Sequence, residues 1–134
     1  MKRIDPNLLV RPSENARNYL KVLVENKTFD RMVDAYLFAA AYALKEDLDI
    51  SEVRLTNRPE LIEIGQVSPD VRLALEAGVH IICKRNYQPE PADGKEVLEI
   101  LCKYGEVGLQ ELKERWEGKT YYQIQADIQK IIGE

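Results

Sequence analysis

The sequence predicts a single, mainly α-helical domain built around a buried central helix. Three observations carry that prediction. Residues 29–45 are apolar nearly all the way round a helical projection, as in a helix enclosed by its neighbours. Ser68-Pro69-Asp70 places a capping residue, a proline and an acid in the order that opens a helix. Apolar residues recur at three- and four-residue spacing both before residue 25 and after residue 95. A chain of 134 residues, 45% hydrophobic and 31% charged, suits one folded domain rather than two or a disordered segment. Within that domain, residues 1–12 read as a basic N-terminal arm and 95–134 as a C-terminal helical subdomain.

The elements follow in order. Pro6 and Pro12 break the opening segment. Ser13 can cap a helix to Glu25, with Ala16, Leu20, Leu23 and Val24 on its apolar side. Thr28 can cap the central helix, Phe29 to Lys45, with Asp30 in its first turn and Phe38 among its buried residues. Val53–Thr56 and Leu61–Ile64 alternate as short strands around Asn57-Arg58-Pro59-Glu60, so a small β-hairpin is expected near 53–64. The helix opened by Pro69 is expected to run through Gly78 to about Cys83, although Gly78 leaves open a strand at 79–83. A Pro-rich loop, Gln88 to Gly94, leads to Lys95–Tyr104, which Gly105 should stop. Leu109–Trp116 then reads as a separate short helix, and Thr120 as the cap of a last one carrying Ile124, Ile128, Ile131 and Ile132.

The common catalytic and phosphate-binding motifs are absent: there is no P-loop, G-x-G-x-x-G, G-x-S-x-G or H-E-x-x-H. His80 is the single histidine. With Cys83 and Cys102 it offers three zinc ligands where a structural site takes four, so no metal and no cofactor are expected. Two isolated cysteines and no signal-peptide pattern fit a reducing cytoplasm, and no apolar run is long enough to span a bilayer. Asp34 stands out as an acid inside the most apolar helix, where it could hold a metal in a nuclease-like enzyme or simply face solvent.

Charge is uneven. Residues 1–31 carry +3 and the remainder −7. Lys2, Arg3, Arg11, Arg17 and Lys21 are therefore candidate DNA-phosphate contacts, although the same residues suit an ordinary soluble terminus. A second DNA reading lies at the other end. Helices 95–104 and 109–116 around Gly105-Glu106-Val107-Gly108 have helix-turn-helix spacing. The last helix would then present Tyr121, Tyr122, Gln123, Gln125 and Lys130 to bases, against the repulsion of six neighbouring glutamates.

Several of these positions form a wider pattern. Arg11-Pro12 leads a helix; Phe29, Asp34-Ala35 and Phe38-Ala39-Ala40 follow; then come Val97, Leu98, Ile100, Leu101, Tyr104, Gly108-Leu109 and Leu112. In these residues the chain resembles the family called Dnd system-associated protein 4, small proteins of DNA phosphorothioation modification and restriction clusters. The resemblance spans most of the chain except 46–68 and rests mainly on apolar positions. It implies a role in defence against foreign DNA and carries over no catalytic residues. The expected function is a non-enzymatic accessory or adaptor that docks larger subunits of a modification or defence complex, with DNA as a further contact. A small DNA-binding regulator using the C-terminal unit is the alternative, and a metal-dependent nuclease the third. The oligomeric state is open at this stage.

Overall fold

Five α-helices and a two-stranded antiparallel ladder make up the computed structural model, which describes residues 1–56 and 58–133. In chain order they are β1 (Leu9–Val10), α1 (Glu14–Glu25), α2 (Met32–Lys45), β2 (Ile62–Glu63), α3 (Pro69–Arg85), α4 (Gly94–Trp116) and α5 (Tyr121–Gly133), with a 3-10 turn at Ile64–Gln66. The chain is mainly helical, as the apolar periodicity predicts.

Helix α2 is the centre. Val33, Ala35, Tyr36, Leu37, Ala39, Ala40, Tyr42 and Ala43 are all buried, on faces turned to α1, α3 and above all α4. Its start differs from expectation. Arg31, not Thr28, precedes the first turn, and its guanidinium grips Asp34 through two bonds of 2.8 and 3.0 Å. Asp34, rather than Asp30, is the first-turn acid that offsets the helix dipole, so its place in an apolar helix has a local explanation. Thr28 is buried and bonded to the Asn26 side chain. Phe38 is only partly buried. It meets Phe29 at a ring distance of 5.5 Å on the rim of the core, and Tyr36 occupies the centre instead.

Three further expectations are corrected. First, no hairpin forms between 53–56 and 61–64. β2 pairs with β1, Leu9 opposite Glu63 and Val10 opposite Ile62, while 53–56 stays irregular. Val10 is fully buried, so the strand that pairs with β2 also carries a core residue. Asn57, in the expected hairpin loop, lies outside the described residues. Second, α4 is one helix of 23 residues, and the turn expected at Gly105–Gly108 is absent. Third, residues 1–12 are not a loose arm. Ile4, Val10 and Pro12 are buried, and the backbone N–H of Ile4 and the guanidinium of Arg3 both donate to Glu76 of α3. Residues 2–4 form a strap on α3, and residues 7–11 run beside α4 and β2.

Pro69 opens α3 as expected, but the Ser68 side chain makes no capping bond there; α1, α4 and α5 do carry side-chain caps. Ser13 Oγ accepts from Ala16 N, and Asp93 accepts from Glu96 N. Thr120 and Gln123 cap each other reciprocally through side chain and backbone. α3 runs unbroken through Gly78, where a Cβ would meet the Leu44 side chain of α2 at 3.4 Å.

Candidate functional site

Most of the predicted DNA contacts already bond other groups of the chain. Arg3 bonds Glu76 at 2.8 Å, Arg11 meets Glu60 at 3.1 Å, and Arg17 donates to the Glu60 carbonyl. Three of the five cations are thus engaged within the chain. Lys2 gives its backbone N–H to His80 Nε2 and keeps an exposed side chain; Lys21 is exposed on α1. The Lys2 bond ties the strap to α3, and the other ring nitrogen of His80 lies 2.8 Å from the Glu76 carbonyl in the same helix.

The C-terminal candidates all lie on α5, and two of them are engaged within the chain. Gln123 is engaged in the helix cap, and Gln125 is half-buried against the Thr28 carbonyl. Tyr121 and Tyr122 stack edge to face on the surface, and Lys130 is exposed at the far end of α5. With α4 continuous, the helix-turn-helix that would aim these side chains at a base edge is missing. Instead, α5 is pinned to α4 by a cluster the sequence did not announce. Asp127 receives two bonds of 2.7 Å from Arg115 and one of 2.8 Å from Trp116 Nε1. These bonds hold the Asp127 carboxyl below its ordinary range and the Arg115 guanidinium above its own.

Cys83 and Cys102 are both buried. Burial pushes each thiol up, with the nearby Glu96 adding to the effect at Cys83. They, His80 and the acids make no metal-holding cluster among the described residues. Nor is any described helix long and apolar enough to cross a membrane.

An apolar-floored groove lies elsewhere, where the α2–β2 connection meets the end of α3 and the first half of α4. Its volume is about 380 Å³, and its floor is Leu48, Ile50, Ile82, Cys83, Ile100 and Tyr104. Asp47, Asp49 and Glu96 rim it, with Lys103 the one cation among the lining residues. The Tyr104 hydroxyl is raised by burial first, then by Asp47, Cys83 and Asp49.

Beside it stands Tyr87, 96% exposed and at φ +56°. Helices α1, α2 and α3 all close with a left-handed residue, Lys27, Asp47 and Tyr87 respectively. In each, that residue and the next donate back into the last turn; for α3, Tyr87 N bonds the Lys84 carbonyl and Gln88 N that of Cys83. Glycine is the usual occupant of such a position, and an aromatic residue carries strain there. Left-handed closure turns the chain sharply, so Tyr87 projects into solvent between Asn86 and Gln88 on the groove wall. The sequence signal was faint: Asn86-Tyr87 merely precedes a Pro-rich loop.

No family model matches this chain, and no curated protein or solved structure matches it.

Proposed function

We propose that this chain is a non-enzymatic accessory protein of a DNA-modification or phage-defence system, an adaptor that docks a larger subunit. The groove beside Tyr87 carries the docking part of this reading. Its apolar floor suits one or two apolar side chains, and its acidic rim suits a segment with flanking lysine or arginine. Tyrosine is a frequent anchor at such surfaces, and an exposed one held in a strained conformation fits that role. The defence context rests on the resemblance in residues 11–40 and 97–112, and it sets the proposed site of action in the cytoplasm. DNA contact is a weaker element of the proposal, because it would fall mainly to Lys2 and Lys21.

The test is recovery of tagged protein from its native host, wild type beside Tyr87→Ala and Asp49→Lys. The expected result is co-purification of larger DNA-modification or defence subunits with wild type and their loss from both variants. Equal recovery by the variants would remove the groove from the reading. The purified chain is expected to leave duplex DNA uncut with Mg²⁺ or Mn²⁺; metal-dependent cleavage would replace the adaptor by an enzyme.

A further inference from the structure

Helix α3 is apolar on two sides. Leu75, Val79 and Ile82 face the core, whereas Leu73 is 44% and Ile81 61% exposed on the opposite face. Between them Ala74 is exposed and Ala77 half-buried. A helix with one buried face ordinarily turns polar residues to water. The ends of the outer face are charged: Asp70 at the start, Lys84 and Arg85 at the finish, none in an ion pair within the chain among the described residues.

These residues are symmetric about Ala77. Leu73 and Ile81 lie four positions to either side, Asp70 and Lys84 seven. We propose that α3 packs antiparallel against α3 of a second copy of this chain, about a twofold axis at Ala77. A twofold contact requires that when one residue meets another, the reverse contact also forms. Every antiparallel register meets that condition; the one centred on Ala77 also sets apolar against apolar and acid against base. Leu73 covers the partner's Ile81, Asp70 faces the partner's Lys84, and the small Ala77 lets the two helices approach at the axis. A parallel pairing would instead set like charges against each other. α3 has 17 residues, about 25 Å of helix, so the contact is modest and the dimer reversible. This inference goes beyond the adaptor role. The groove uses Ile82, Cys83 and Asn86 on another face of α3, so a dimer would offer two grooves at once and strengthen binding to a partner with repeated segments.

A concentration series in the analytical ultracentrifuge tests the pairing. The mass is expected to rise toward about 31 kDa, twice the 15.4 kDa of one chain. Ile81→Glu should weaken association at least tenfold with unchanged melting, because the side chain is already in solvent. Asp70→Lys and Lys84→Asp should each weaken it, and the double reversal should restore it. Under oxidation Ala77→Cys should cross-link to a dimer, whereas Val22→Cys, on α1, should not. A 15.4 kDa species at every concentration would overturn the proposal. So would a dimer indifferent to Ile81→Glu and the charge reversals, or one in which Ala77→Cys fails to cross-link.

Discussion

Gly108 of α4 lies against the backbone of Ala39 in α2: a Cβ at Gly108 would stand 2.0 Å from the Ala39 carbonyl oxygen. One turn earlier, a Cβ at Gly105 would stand 2.8 Å from Cζ of Tyr36. The two glycines form a flat strip on α4 that admits Tyr36 and brings the helices into contact. Each costs about 1 kcal/mol relative to alanine in helix propensity. The close packing of α2 on α4 offsets that cost.

Gly108→Ala should therefore destabilise the protein by about 1–3 kcal/mol or more, despite the better helix propensity of alanine. Gly133→Ala, with open space around it, should change stability by less than about 0.5 kcal/mol. Urea unfolding measures both. A stabilised Gly108→Ala would show that the helices do not meet at this point.

The same pair shows what the sequence could and could not reveal. Local signals were readable: Ser13, Pro69 and Thr120 open helices where expected, and the buried run in α2 is the core. What failed depended on distant partners. Gly105 and Gly108 read as a turn because nothing nearby in sequence announces Tyr36 or Ala39. Residues 61–64 read as half a local hairpin because β1, some 50 residues away, is a strand of only two residues. The candidate site was least legible. Its floor combines the 47–51 segment with α3 and α4, and Tyr87 takes a backbone conformation that sequence patterns assign to glycine.

Glu76 is 1% exposed and holds the strap through Arg3 and the Ile4 backbone N–H. Glu76→Ala leaves that N–H without its partner and should cost about 1–3 kcal/mol. It should also free residues 1–5, so trypsin cuts after Lys2 and Arg3 much faster than in wild type, read by mass spectrometry. Equal cleavage of wild type would mean that the strap is not docked in solution.

Asp127 links stability to acid pH. Its carboxyl is held below the ordinary value of 3.8, chiefly by the Arg115 hydrogen bonds. A carboxylate depressed in the folded state adds stability above its unfolded pKa and loses it as pH falls through the folded one. The contribution should be intact at pH 6 and decline below about pH 4. Asp127→Asn should cost about 1.5–3 kcal/mol at pH 6 and far less near pH 2. Melting curves of both proteins across that range check the sign; a penalty independent of pH would remove the ion pair as its cause.

Tyr87 permits a separation of stability from docking. Replacing an exposed left-handed residue by glycine relieves backbone strain and removes almost no packing, because the side chain is 96% exposed. Glycine also loses more chain entropy on folding, which takes back part of the gain. Tyr87→Gly should therefore raise stability by about 0.5–1 kcal/mol. If the tyrosine anchors a partner, the same change should weaken recovery of that partner at least tenfold while the monomer melts higher. A loss of partner binding from damage to the fold would move both measurements down together. A variant that is more stable and still recovers the partner fully would show that the strain at Tyr87 serves no docking role, and the groove would have to act without it.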